Sequence, residues 1–266
     1  MNILFIGAGK MATALAGGIA HNRLFPNDRL DAVDPSPDAR DAFTATTGVT
    51  AHPVATAELV GAADIIVLAI KPQVAAATVN ALPPRKDGVL VFSICAGIPI
   101  AKLQSWLGDV RIVRVMPNTP LLVGQGASCY ALSQSDDTAG AAFAAKVLGS
   151  LGKAWQVPEA SLDAVTALSG SGPAYFFAFI EALRDGAVKL GLPMELAEEL
   201  AVQTMAGATE MLRQKKGTPS ELRIAVTSKG GTTAAALDVM AAHDFNGLVA
   251  ELMKAAADRS AELGKG

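Results

Sequence analysis

The run Gly7-Ala8-Gly9-Lys10-Met11-Ala12 constrains this chain more than any other stretch. It follows four apolar residues, Ile3-Leu4-Phe5-Ile6, and opens a small, apolar stretch over 11–19 that reads as a helix. In such a strand–turn–helix, the first glycine makes the tight turn. The second lets the backbone approach a pyrophosphate, and the small Ala12 lets helix and strand pack closely. The phosphates would sit on the helix N-terminus. Asp34 supports this reading. It follows the strand-like Leu30-Asp31-Ala32-Val33 and lies 22 residues beyond Ala12, close to the spacing of about 20 expected for a carboxylate that holds a ribose 2′-hydroxyl. The alternative for Asp34 is a turn residue ahead of Pro35.

The rest of the first half agrees. Strands are predicted at 2–6, 30–33, 49–51, 64–70, 88–94, 111–116, 127–131 and 154–157, with helical patterns between most of them. That alternation predicts an α/β fold with a doubly wound, mainly parallel sheet. After Pro158 the pattern turns helical, with breaks at 169–173, 191–193, 217–219 and 227–232. The expected division is a dinucleotide-binding domain over 1–158 and a helical domain over 159–266. With 266 residues, half of them hydrophobic, a sizeable core is expected. No apolar run approaches the roughly 18 residues of a membrane span.

A formal charge of −3, without blocks of like charge, argues against nucleic acid as a partner. His21, His52 and His243 are far apart and no ligand spacing is present, so no metal is expected. Met1 runs straight into the first strand, which leaves no room for a signal peptide. Cys95 and Cys129 lie in apolar runs and read as reduced, buried thiols, so a cytoplasmic location is expected.

Near the far end stands Val226-Thr227-Ser228-Lys229-Gly230-Gly231-Thr232-Thr233. Paired glycines let successive N–H groups converge on one point. Hydroxyls at a helix start add donors beside the positive end of the helix dipole. Together they suit a small anion such as a carboxylate; the plainer reading is a turn and a helix cap. Two more segments fall at the carboxyl ends of predicted strands, where such sheets bind ligands. In Ala69-Ile70-Lys71-Pro72, Lys71 either meets the cofactor or is a surface lysine. In Met116-Pro117-Asn118-Thr119-Pro120, two prolines stiffen a polar loop fit to hold a carboxamide, or simply a turn.

The helix expected from Pro173 to Gly191 has an apolar face of Phe176, Phe179, Leu183, Ala187 and Leu190, widened by Tyr175, Phe177 and Ile180. So wide a stripe predicts a subunit interface, with partner helices over 193–215 and 246–263. Glu198 and Glu199 are adjacent and do not face each other on a helix, so they form no carboxylate pair.

Taken together, these residues resemble the pyrroline-5-carboxylate reductase family. The likeness rests on G-A-G-K-M-A at 7–12, A-I-K-P-Q at 69–73, S-I-C-A-G at 93–97, V-R-V-M-P-N-T-P at 113–120, L-S-G-S-G-P-A-Y at 168–175 and V-T-S-K-G-G-T-T-A-A-A-L at 226–237. The resemblance implies a Rossmann-type sheet followed by an all-α dimerisation domain. It also implies interlocked dimers, often gathered as pentamers of dimers, with an active site shared between subunits. The implied reaction is hydride transfer from NADPH or NADH to the C=N of a small-molecule substrate, 1-pyrroline-5-carboxylate, giving L-proline.

By position, the resemblance places Gly7, Ala8, Gly9, Lys10 and Met11 at the pyrophosphate. It places Ala69, Lys71, Pro72, Cys95, Ala96 and Asn118 at the nicotinamide and its ribose; at the adenosine ribose, where many NADP-using members have Arg or Ser/Arg, this chain has Asp34 and Ser36. Thr227, Ser228, Gly230, Gly231 and Thr232 would hold the substrate carboxylate, with Thr233 reaching the ring nitrogen as the catalytic residue. Many members have Asn at the place of Lys10 and Pro at that of Lys229. Asp34 would repel a 2′-phosphate if it points at the ribose, whereas Ser36 and Arg40 could receive one. A hydroxyacid-type dehydrogenase is the alternative enzyme, but it needs a lysine base, and Lys189 lies at the far end of its helix. A dinucleotide sensor without turnover is the alternative outside catalysis.

Overall fold

The computed structural model describes residues 1–26 and 28–265. In chain order its elements are β1 (Asn2–Ile6), α1 (Lys10–His21), β2 (Arg29–Val33), α2 (Pro37–Thr47), β3 (Thr50–His52), α3 (Ala57–Ala62), β4 (Ile65–Leu68) and α4 (Pro72–Asn80). Then come β5 (Leu90–Ser93), α5 (Ile100–Leu107), β6 (Arg111–Met116), a 3-10 turn (Thr119–Val123), β7 (Gly126–Leu132), α6 (Thr138–Gly149) and β8 (Gly152–Gln156). The remainder is helical: α7 (Leu162–Val165), a π turn (Thr166–Gly170), α8 (Gly172–Lys189), α9 (Met194–Arg213), α10 (Pro219–Ala225), α11 (Thr232–Ala242) and α12 (Phe245–Lys265).

The strands form one sheet in the order β3-β2-β1-β4-β5-β6-β7-β8. All neighbours are parallel except β6 and β7. Each predicted strand is present, with ends shifted by a few residues. Strand β4, for example, stops at Leu68 rather than at 70. Ala69 still donates to the Ile6 carbonyl at 2.8 Å, but beyond it the chain leaves the ladder to meet the glycine turn.

Side-chain alternation splits the core into two layers. Ile3, Phe5, Ile65, Val67, Leu90, Phe92, Val113 and Val115 face α1, α2 and α6. Leu4, Ile6, Ile66, Leu68, Val91 and Ile112 face α3, α4 and α5. Both faces are covered, which is why the parallel strands read as continuous apolar runs. Helix α1 lies close to its neighbours because it carries glycine: a Cβ at Gly18 would stand 2.8 Å from Leu151 Cδ2.

Two compact units are present. The first is Met1–Ser171 together with the chain from Ala255 onward; the second is Gly172–Lys254. In the first unit, the last turns of α12 pack on the sheet side. Ser260, 4% exposed, donates its hydroxyl to Asp163 Oδ1 at 2.7 Å. The second unit is built from α8 packed on α9, followed by α10, α11 and the start of α12. Among its described residues only Gly172, Ala197 and Ala201 are buried. Phe176, Phe177, Leu190 and Leu200 are exposed. Among the described residues no helix is long and apolar enough to cross a membrane.

Asp137 links sheet and helix in the first unit. It caps α6 by accepting from Gly140 N–H at 2.9 Å, and it pairs with Arg111 of β6 through Nε at 3.0 Å and through Nη2. Burial pushes its carboxyl pKa up, but the Arg111 guanidinium and the Gly140 amide outweigh that and hold it below the ordinary value. Asp137→Ala is expected to cost about 1–3 kcal/mol of stability at neutral pH, read from urea midpoints. A depressed folded pKa means this contribution is complete above the unfolded value of about pH 4 and fades as pH falls through the folded one. The variant should therefore lose less stability than the wild type on further acidification.

Candidate active site

Strand register brings four loops to one line. Ile6 pairs with Val33 and with Leu68, and Leu68 pairs with Ser93. The chain therefore leaves β1, β2, β4 and β5 at a common level, at residues 7, 34, 69 and 94. The strand order reverses about β1 and β4, which is the crevice where open α/β sheets take their ligands.

Gly7 has φ +104° and donates to the Val33 carbonyl at 2.7 Å. A Cβ there would run into the Ala69 carbonyl, so any side chain would push two loops apart. Gly9 is the N-cap of α1 with ordinary extended geometry and no side-chain cap bond. A Cβ on Gly9 would meet nothing within 4 Å. The α1 N-terminus is thus open, and Ala12 behind it is buried. This cradle fits a pyrophosphate, with the amides of Met11 and Ala12 facing it.

The Asp34 carboxylate is held on both oxygens. Oδ2 accepts from Ala8 N–H and Oδ1 from Ser36 N–H, each at 2.9 Å. Ser36 caps α2 by accepting from Ala39 N–H at 3.4 Å. Arg40 Nη1 donates to the carbonyls of Asp34 and Pro35 at 2.8 and 3.0 Å.

On the other side of β1, Lys71 is exposed and Pro72 opens α4. The Cys95 thiol is buried. It donates to the Ile70 carbonyl at 3.4 Å and lies 3.6 Å from that of Leu68. Burial raises its pKa, with partial relief from Ser93, so it stays a neutral donor that braces the β5 loop against the β4 loop. Ala96 is half-buried, and Gly97, φ +75°, is covered by α12: a Cβ there would stand 2.8 Å from Leu263 Cβ.

Asn118 is buried and committed. Its amide oxygen accepts from Ala127 N–H at 2.9 Å and its Nδ2 donates to the Ser169 carbonyl at 3.0 Å. Ser169 lies in the π turn, which is closed by Ser171 N–H on the Thr166 carbonyl at 2.8 Å. Gly170 lies against the Met116 methyl, and a Cβ there would collide with it. This clamp was absent from the reading of the sequence. Its signal was the Ser-Gly-Ser-Gly-Pro stretch, where Gly170 permits the close approach to Met116.

The second unit holds the other group of expected residues. Thr227 turns its hydroxyl back onto the Arg223 carbonyl at 2.6 Å, so it closes α10. Gly230 has φ +69°, and Gly231 donates to the Ser228 carbonyl at 3.0 Å. A Cβ on Gly231 would collide with Ser228 Oγ. Gly231 is the N-cap of α11, again without a side-chain cap bond. Thr232 and Thr233 therefore present their amides at an open, positive helix end, beside the Ser228 hydroxyl. By contrast α2, α3, α6 and α10 are closed by Ser36, Thr56, Asp137 and Thr218. Among the described residues, no three His, Cys, Asp or Glu side chains come together as a metal site.

The parallel sheet with a glycine turn after β1 and a carboxylate after β2 is the framework of a dinucleotide-dependent oxidoreductase. Residues 159–263 match the family model for pyrroline-5-carboxylate reductase dimerisation, and residues 2–97 match that for coenzyme F420-dependent NADP oxidoreductases. The chain is 44% identical over 264 residues to pyrroline-5-carboxylate reductase of Pseudomonas aeruginosa, covering 98% of this chain and 96% of that one. It is 41% identical over 261 residues to the Pisum sativum enzyme, covering 97% and 94%. The solved structure of Plasmodium falciparum pyrroline carboxylate reductase with NADP bound superposes with a TM-score of 0.87 at 33% identity, covering 99% and 98%. That of the Coxiella burnetii reductase does so at 0.88 and 34%, covering 100% and 99%. This chain belongs to the pyrroline-5-carboxylate reductase family.

The two glycines of the turn should separate in experiment. Gly9→Ala is expected to leave stability within about 0.5 kcal/mol yet weaken dinucleotide binding about tenfold or more, because its Cβ meets only the ligand. Gly7→Ala should lower both, as thermal unfolding and fluorescence titration of NADH and NADPH would show.

Proposed function

We propose that this protein reduces the C=N bond of 1-pyrroline-5-carboxylate to L-proline with NADPH or NADH. The observation that carries the reading is the pair of glycine-capped helix ends left open: α1 for a pyrophosphate, α11 for a carboxylate. Bound at the first, the reduced nicotinamide would supply the hydride. The chain's own residues do the rest by orientation. Gly7 to Met11 seat the pyrophosphate, Asp34 and Ser36 flank the adenosine ribose, and Ala69, Lys71 and Pro72 line the other ribose. Cys95, Ala96 and Asn118 shape the wall for the nicotinamide, the cysteine and asparagine as braces of the loops.

The amides at the start of α11, with Ser228, Gly230 and Gly231 shaping the turn, take the substrate carboxylate. Thr233, in the first turn of the helix, points the reaction at the ring nitrogen. Reduction adds a hydride to the ring carbon and a proton to that nitrogen. A protonated cyclic imine accepts hydride readily, so Thr233 need only hydrogen-bond the nitrogen and pass a proton from solvent.

Assembly follows from the second unit. Helices that bury three small residues cannot hold themselves by their own core. The exposed Phe176, Phe177, Leu183 and Leu200 are covered by a second copy, in a dimer that gathers into a pentamer of dimers. Two free thiols, Cys95 and Cys129, suit a reducing cytoplasmic setting.

Mixing the protein with pyrroline-5-carboxylate and either dinucleotide should give loss of nicotinamide absorbance with proline formed. Binding of both dinucleotides without oxidation of either would overturn the assignment. Thr233→Ala is expected to lose about 1–3 kcal/mol of transition-state stabilisation, roughly tenfold to a hundredfold in kcat/KM; unchanged efficiency would remove it from the mechanism. Sedimentation should show at least a dimer at every practical dilution, and a dilution-independent monomer would refute the interface.

A further inference from the structure

The corner between β2 and α2 is where a dinucleotide with a 2′-phosphate differs from one without. The ribose attached to a pyrophosphate on α1 lies over the ends of β1 and β2. Ile6 and Val33 end there in register, which leaves Asp34 beside the glycine turn. Its carboxylate is not free to turn away. Ala8, 3% exposed, has its N–H satisfied by Oδ2, and Ser36 N–H is satisfied by Oδ1. Rotating Asp34 aside would strand both donors, one of them where little water reaches.

The nearby cation is anchored through one nitrogen to backbone rather than to the carboxylate. Arg40 holds Nη1 against the carbonyls of Asp34 and Pro35, and its helix carries Asp38 and Asp41 beside it. The Ser36 hydroxyl already caps α2. A fixed carboxylate with open lone pairs is matched to two ribose hydroxyls as donors and mismatched to a phosphate dianion.

We propose that Asp34 makes this enzyme prefer NADH, by a carboxylate locked in place at the adenosine ribose. The inference rests on the reductase reading for the location of the dinucleotide, but its test needs no imine substrate.

Dissociation constants for NADH and NADPH would be measured by nicotinamide fluorescence on the wild type, Asp34→Asn and Arg40→Ala. The wild type should bind NADH about tenfold or more tightly than NADPH. Asp34→Asn keeps an acceptor and a donor but removes the charge, and should close most of that gap through tighter NADPH binding. Arg40→Ala should leave the ratio where it is. A wild-type ratio near one or favouring NADPH overturns the proposal. So does an unchanged ratio in Asp34→Asn, or selective loss of NADPH binding in Arg40→Ala. If Asp34→Asn does not fold, the wild-type and Arg40→Ala ratios still decide. A clear NADH preference without imine reduction would sink the reductase reading and leave this one standing.

Discussion

The close approach of Gly7 to the Ala69 carbonyl is the constraint on which the ligand edge of the sheet depends. Two loops from neighbouring strands meet backbone to backbone, with no room for a β-carbon between them. The same residue donates to Val33, so one peptide ties three strand ends together. From that knot the other positions follow. Ala8 is delivered to Asp34, Gly9 is left facing open space, and the β4 loop is brought within reach of the Cys95 thiol. A packed interior tolerates little adjustment, so the shape of the crevice is set by covalent and van der Waals geometry before any ligand arrives.

Helix ends show how the chain separates structure from binding. Four helices are closed by a side chain, Ser36, Thr56, Asp137 and Thr218 each accepting from an amide of the first turn, whereas α4, α5 and α9 start behind Lys71, Pro99 and Pro193 without such a bond. At α1 and α11 the N-cap is a glycine, which has no side chain to close the helix start. An unclosed helix start costs stability, because its amides lack the partner a Ser or Asp would provide. Retaining glycine at two such places is the local inconsistency expected of functional positions.

Much of this was legible in the sequence. The central strands could be placed because β1, β4 and β5 are short apolar runs buried on both faces, while the edge strands β3 and β8 are more polar and partly exposed. The glycine turn and Asp34 were found from local spacing. What local spacing could not reveal was the direction of side chains fixed by distant partners. Cys95 and Asn118 stand in the expected loops, yet both act on neighbouring backbone: the thiol on Ile70, the amide on Ala127 and Ser169. The Thr227 hydroxyl likewise donates to backbone of the helix before it, at Arg223. The Asn118–Ser169 and Ser260–Asp163 bonds join residues 51 and 97 apart in the chain, and no periodicity encodes such pairings.

The return of α12 to the first unit bears on how the chain is made. Gly97, in the loop after β5, is roofed by Leu263 and Gly264, and Ser260 reaches Asp163. The segment that completes this surface is therefore translated after the entire helical unit. During synthesis the sheet emerges early, but the loop after β5 stays bare while residues 172–254 leave the ribosome. Until then Gly97 lacks its cover and Asp163 its hydroxyl partner. The cofactor crevice takes its final form only when nearly the whole chain has been released.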